Sequence, residues 1–382
     1  MFKWKYVKIV LICLLVVSCS RANNAYSDNS ANAVKVHSST EATAASGGNI
    51  APDEIAMPAA PAMVVYEGDV LNIFFHGLIA WPEIGFKGSR KDFFTEWYVT
   101  ADEFRKILHE LYIHNYVLID IKELYEVVHT DGNRKVIYRK PLVPDGKIPI
   151  VLSIDDLSYY EFVKENGSVH KLVLDGKGGI AAWTDRGNGG ELSYDLDIVT
   201  YLEEFIKMHP DFSVRGAKGI IALTGYEGIL GYYTHELDSP RYQQEKEQAI
   251  AVVKKLKEMN WHFASHSWGH INIPEKPMSW LTYDQKLWDQ QVKDILGDTD
   301  MFIYPFGAGV EHQADKHKFL RNRGFDVFFG VGKGYGYREA KEGYLYFTRR
   351  NIDGNYFRAF RNRDDKLFDF DKVVDKEMRN IK

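Results

Sequence analysis

Short apolar runs of strand length recur along this chain with helical segments between them, and that alternation limits the fold more than any other feature of the sequence. The runs are Val70–Phe75, Tyr116–Ile121, Val151–Ile154, Gly219–Leu223, Trp261–Ala264, Met301–Tyr304, Val327–Phe329 and Leu345–Thr348. Several are apolar at successive positions rather than alternate ones, which is the pattern of strands covered on both faces. Between them, Phe104, Ile107, Leu108 and Leu111 repeat at helical spacing behind Thr100-Ala101-Asp102-Glu103, which has the form of a capping box. Further helices are expected at Lys122 to Val128, Asp195 to Met208, Gln244 to Met259, Tyr283 to Leu296, Gln313 to Arg323 and Phe368 to Met378. Strands and helices joined in this way predict a mainly parallel α/β sheet, open or closed. Pro82 to Glu96 has no clear period and reads as loop. The glycine-rich stretch at about 165–190 reads as a β-hairpin insertion beside the functional site.

With 382 residues, 45% of them hydrophobic, the chain can bury one large core or two small ones. A net charge of -5 carries no basic excess, so a nucleic-acid partner is not expected. Both cysteines, Cys13 and Cys19, fall in the first twenty residues, which leaves the body without a disulfide framework. Lys3, Lys5 and Lys8 precede the apolar run Ile9 to Val17, too short to span a bilayer and suited to a secretory leader. The run ends Val16-Val17-Ser18-Cys19, which resembles a bacterial lipoprotein cleavage box. Residues 1–18 are therefore expected to be a signal peptide, with Cys19 the lipidated first residue of an extracytoplasmic, membrane-anchored protein. Residues 19–63, rich in Ser, Ala, Asn, Thr and Pro, are expected to form a disordered tether, and 64–382 the folded body.

Three stretches carry candidate chemistry. Val151-Leu152-Ser153-Ile154 ends in two adjacent carboxylates, Asp155 and Asp156, and a buried strand displays such residues at its carboxyl end. His266 and His270 stand four residues apart after Trp261–Ala264, a spacing that brings both imidazoles to one side. One carboxylate and two imidazoles, from Asp156, His266 and His270, would hold a divalent ion with open positions. Asp155, facing differently, would be the general base. Tyr304-Pro305-Phe306-Gly307 follows a third strand, and the Phe306 N–H is a candidate oxyanion donor. His76, at the end of Val70–Phe75, is a candidate general acid.

These residues resemble a known family. Ser153-Ile154-Asp155-Asp156 looks like the T-F-D-D-G motif of polysaccharide deacetylases, the NodB-homology carbohydrate esterases, and His266-Ser267-Trp268-Gly269-His270 matches their H-[S/T]-x-x-H motif. The resemblance covers about 64–353 and implies a distorted (β/α) barrel in which Asp155 is the base and Asp156, His266 and His270 bind the metal. Leu157 departs from the glycine that usually follows the aspartates. The third motif is similar to a Y-P-[Y/F]-G variant and lacks an arginine. No histidine follows His317, where a late Leu-x-His motif usually stands. Circularly permuted members resembling poly-N-acetylglucosamine deacetylases carry that histidine on the first strand, which Phe75-His76 fits, and Arg349 would then replace the missing arginine as partner of Asp155.

The resemblance implies an enzyme that hydrolyses N-acetyl groups on a cell-envelope or extracellular polysaccharide, releasing acetate, with zinc as the expected metal and nickel or cobalt as alternatives. Trp268, Tyr304, Tyr159, Tyr160, Trp81 and Trp183 are candidates to floor a sugar-binding groove. Two other readings stand beside this one: a non-catalytic carbohydrate-binding protein on the same scaffold, and an esterase removing O-acetyl groups. The sequence sets no oligomeric state.

Overall fold

The computed structural model describes residues 61–130, 133–187, 189–332, 334, 336–341, 343–364 and 366–379. The expected leader, Cys19 and the tether up to residue 60 lie outside them.

Seven strands, taken in chain order, pair side by side in parallel: β1 (Leu71–Phe75), β2 (Ile148–Ile154), β3 (Gly219–Leu223), β4 (His262–Ser265), β5 (Met301–Ile303), β6 (Val327–Val331) and β7 (Tyr344–Asn351). Each pairs with the next, and β7 returns to β1 through Arg349↔Asn72, Arg350↔Ile73 and Asn351↔Phe74, so the sheet closes. The expected distorted (β/α) barrel is what forms. Its distortion lies at β2, whose outer edge is shared. Tyr116–Leu118 takes the first half, ending at Leu118↔Ile150, and β3 takes the second half from Gly219↔Leu152.

The two-residue period of a strand separates two cores. Val151, Ile220, Ala222, Ala264, Met301, Ile303, Val327, Phe329, Leu345 and Phe347 form one cluster, inside the ring. Ile150, Leu152, Ile154, Ile221, Leu223 and Phe263 face outward into a cluster shared with the surrounding helices. Both faces are therefore covered, which explains runs that are apolar at successive positions.

The amino-terminal mouth of the ring is covered by an antiparallel hairpin, Tyr125–Thr130 with Asn133–Tyr138. Tyr125 and Val136 join the inner cluster. Lys122 and Tyr125 hold Asp300 just before β5, and Arg134 pairs with Asp326 just before β6. Residues 131 and 132, between these two strands, lie outside the described residues. The carboxyl-terminal mouth carries no such hairpin among the described residues.

Several expected elements differ. Lys122 to Val128 is not a helix: Ile121–Leu124 makes one 3₁₀ turn, and Val127 and Val128, β-branched and poor in a helix, join the hairpin strand. Pro82 to Glu96 is not wholly loop, because Pro82–Gly85 and Lys91–Trp97 are short helices. The insertion is a three-stranded antiparallel sheet, Lys171–Leu174, Ile180–Thr184 and Glu191–Ser193. Its Leu172, Ile180 and Ala182 pack into the outer core, with contacts to the helices Ile198–Met208 and Tyr242–Glu258. Trp183 there lies against the Lys171 ammonium. The last helix is shorter than expected, Phe370–Val373, and Gly354–Phe360 precedes it.

The capping box forms as read: Thr100 Oγ1 accepts from the Glu103 N–H, and the Glu103 carboxylate accepts from the Thr100 N–H, opening the helix Ala101–Ile113. The same fully buried carboxylate takes two further N–H groups from Arg379, at 2.6 Å each, and one from the Asp375 backbone. Arg379 also donates to the Thr95 and Tyr98 carbonyls, so one guanidinium ties the segment after Phe370–Val373 to the helix Ala101–Ile113 and the residues before it. Removing one partner of such a pair leaves the other charge buried and uncompensated. Arg379→Ala is therefore expected to lower unfolding stability by about 3–5 kcal/mol in urea titrations. Arg379→Lys is expected to recover little, because an ammonium cannot reproduce the guanidinium fork.

Candidate active site at the carboxyl-terminal mouth

Every candidate catalytic and metal-ligating side chain stands at this mouth. Asp155 and Asp156 follow β2, His266 and His270 follow β4, His76 follows β1, Phe306 follows β5, and Arg349 lies on β7. Nine non-glycine residues among those described have a positive φ, and five are here: Asp156, Tyr159, Ser267, His270 and Phe306. Each such conformation costs of order 1–3 kcal/mol and persists only where its surroundings impose it. Leu157 has no positive φ. The left-handed step falls on Asp156 and Tyr159 instead, so the turn does not need the glycine that Leu157 replaces.

Asp155 points into the ring above Val151 and Ser153. Arg349 reaches it from β7 with two parallel bonds, Nη1 to Oδ1 at 2.6 Å and Nη2 to Oδ2 at 2.8 Å, and also donates to Ser153 Oγ at 3.0 Å. Both side chains are almost wholly buried. The guanidinium also lies over the Phe74 ring at 4.1 Å, which leaves it little freedom to turn. Burial pushes the Asp155 carboxyl up, but Arg349, with smaller contributions from His266 and His76, more than offsets this and holds it at about 2.

Asp156, His266 and His270 bring one ligating atom each to within 4.8 Å of the others. His266 Nδ1 lies 2.8 Å from the Ile303 carbonyl, an acceptor only, so this nitrogen carries the proton. Nε2 is then the bare nitrogen, 4.0 Å from Asp155 Oδ2. Burial lowers the His266 pKa, favouring the neutral imidazole that a metal requires. His270 Nε2 lies 3.5 Å from Asp156 Oδ2, while Asp156 Oδ1 accepts from the Tyr160 hydroxyl at 2.6 Å. Burial raises the Asp156 carboxyl, and the three histidines and Tyr160 together bring it below its ordinary value. The histidine loop is held from behind by Asp284, which accepts from the Trp268 and Gly269 N–H groups at 3.0 and 2.7 Å. Ser267 Oγ accepts from the Ile271 N–H. A buried, neutral, backbone-oriented imidazole, a second imidazole and an ionised carboxylate converging on one point suit a divalent ion of the zinc, nickel or cobalt type.

His76 Nδ1 lies 2.9 Å from the Trp97 carbonyl, and its ring packs against Tyr98. Nδ1 therefore carries a proton, and Nε2 is the nitrogen on the other side of the ring. Phe306 is 66% exposed, and its ring meets His270 edge-on at 4.5 Å. The groove-floor readings of Tyr159 and Tyr304 are corrected: both are buried, Tyr159 bonded to Asp197 and Tyr304 stacked on Phe328, and neither has a face to offer a ligand. Trp268 is only half-buried, with its indole N–H on Gln291 in a π-helical turn. Sequence reading missed Asp284 and Thr224 and took Tyr160 for a sugar platform. None of the three belongs to a spaced motif that would have singled it out.

No protein-family model and no curated protein matches this chain. Among solved structures it is similar to a Streptococcus pyogenes deacetylase, PplD, in complex with acetate, at 14% identity and a TM-score of 0.40, over 77% of this chain and 94% of that one. It is similar to a Bacillus cereus polysaccharide deacetylase at 12% and 0.42, over 76% and 68%. It is also similar to a de-N-acetylase from Aggregatibacter actinomycetemcomitans at 12% and 0.42, over 75% and 96%. These likenesses are loose, and the barrel described above stands on its own strand pairing.

Folding lowers the Asp155 pKa, so the pair with Arg349 contributes stability that is full above the ordinary carboxylate range and is lost as the pH falls through about 2. Arg349→Met is expected to cost about 3–5 kcal/mol at pH 7. The deficit should shrink toward pH 4, because an unpaired buried Asp155 escapes its penalty by taking a proton. Urea unfolding of both proteins at the two pH values reads the difference.

Proposed function

We propose that this chain is a metal-dependent deacetylase that hydrolyses N-acetyl groups on a polysaccharide of the bacterial cell envelope or its surroundings. The observation that carries this reading is the meeting of Asp156, His266 and His270 beside a second carboxylate, Asp155, kept ionised by a guanidinium. Such a set has little use in a binding module, where a buried charge and five left-handed residues would cost stability without return.

A divalent cation held by Asp156, His266 and His270 would supply a Lewis acid for the acetyl carbonyl and lower the pKa of a water. The chain's own residues do the rest. Asp155, ionised and aimed by Arg349, takes the proton of the attacking water; each of its oxygens keeps a lone pair beyond the one that faces Arg349. The Phe306 N–H is the oxyanion donor from the neighbouring strand end. His76, its Nδ1 held by the Trp97 carbonyl, presents Nε2 and in its protonated form donates to the departing sugar nitrogen. The C–N bond breaks, and acetate and a free amine leave. The exposed Phe306 ring offers a flat apolar face to a pyranose at the mouth. Anchoring through a lipidated Cys19 would hold the protein outside the cytoplasmic membrane, where such glycans are found.

Given Zn²⁺, Co²⁺ or Ni²⁺ and N-acetylglucosamine oligomers or peptidoglycan, the protein is expected to release acetate, and a chelator should stop the release. Asp155→Asn is expected to lower kcat by about 10²–10⁴-fold while metal still binds in calorimetry. Metal binding with glycan binding but no acetate would leave a carbohydrate-binding protein. Release from O-acetyl substrates alone would leave an esterase.

A further inference from the structure

We propose that Tyr160 is a positioning residue for Asp156: it ends a directed chain of buried hydroxyls that occupies one carboxylate oxygen and leaves the other as the single ligand atom. This rests on the metal reading above and deepens it.

The direction of the chain follows from its end. An ionised carboxylate only accepts, so the Tyr160 hydroxyl, 2.6 Å from Asp156 Oδ1, donates to it. Its one proton spent, Tyr160 accepts from Thr224 Oγ1, also at 2.6 Å. Thr224 has then used its own proton, and Ser158 Oγ, 3.1 Å away, donates to Thr224. All three residues are buried, so solvent does not compete for these bonds. The Tyr160 ring is stacked against Tyr226 at 4.9 Å and Phe162 at 5.8 Å, which prevents the hydroxyl from swinging away. Thr224 follows β3 while Asp156 and Tyr160 follow β2, so the chain spans the seam between two strands. Asp156 itself has a φ of 58°, and Ser158 N–H closes back on its carbonyl at 2.7 Å, so a tight turn sets its backbone and Tyr160 sets its carboxylate.

The consequence is the number of oxygens on offer. Oδ1 is engaged, and Oδ2, 3.5 Å from His270 Nε2, is the one that faces the imidazoles. A carboxylate restricted to one oxygen keeps the ion's coordination number low and its remaining positions open. Without the Tyr160 hydroxyl, both oxygens are free and the group can turn to offer both.

The test uses the full chain stripped of metal and titrated with Zn²⁺ in a calorimeter and with Co²⁺ in a spectrophotometer. Tyr160→Phe is expected to weaken Zn²⁺ binding about 10–100-fold and to lower the intensity of the visible Co²⁺ bands, the sign of a higher coordination number. A purely packing role for Tyr160 would leave the Co²⁺ spectrum unchanged. Thr224→Val, which keeps the Tyr160 ring in place and removes the donor that orients its hydroxyl, is expected to shift affinity in the same direction, and it carries the test if Tyr160→Phe does not fold. Wild-type affinity and an unaltered spectrum in the folded variants would overturn the proposal while leaving the metal reading intact. Absence of Zn²⁺ and Co²⁺ binding in the unaltered protein would overturn both.

Discussion

Asp155 and Arg349 stand 194 residues apart in sequence and meet by two parallel bonds inside the barrel, away from water. Burying either charge alone would cost several kcal/mol, so each is tolerable only when the other is in place. Arg349 arrives because β7 closes the ring against β1, and Asp155 stands where it does because β2 pairs with β1 on the other side. Ring closure and the buried pair are thus two aspects of one constraint. The remainder of the site is assembled on this base: His266 is held to the Ile303 carbonyl on the next strand, and Asp284 holds the loop that returns His270.

The division of labour between the two ends of the barrel follows from the same economy of polar groups. At the amino-terminal mouth, Asp300 pairs with Lys122 and accepts from the Tyr125 hydroxyl, and Asp326 pairs with Arg134 and Arg321. At the carboxyl-terminal mouth Asp155 has a permanent partner in Arg349, whereas Asp156 faces imidazoles and the Tyr160 hydroxyl, which leaves its charge available to a cation. A lysine or arginine in place of His266 would satisfy Asp156 permanently and leave nothing for a cation.

Much of this was legible from local pattern. The apolar runs gave the barrel strands to within a few residues, because burial on both faces leaves a signal in the sequence that does not depend on which strand lies beside which. The Thr100–Glu103 cap was readable because its partners are three residues apart. Local pattern failed where a distant partner decides. Val127 and Val128 follow a helix-like start and pair instead with Lys135 and Val136. Tyr159 and Tyr160 are indistinguishable as neighbouring aromatics, yet one bonds Asp197 and the other the ligand carboxylate.

What the sequence determined by itself was the kind of groups available and the order in which they occur: two acids at a strand end, two imidazoles four apart, an arginine on a late strand. Spacing along the chain sets which side chains share a turn, and that is enough to nominate them. The tertiary structure decided which of them meet and in what state. Closure of the ring brought Arg349 to Asp155, the Ile303 carbonyl chose the His266 nitrogen that bears the proton, and burial removed Tyr159 and Tyr304 from any surface. Those outcomes depend on contacts between residues far apart in sequence, which leave no local trace.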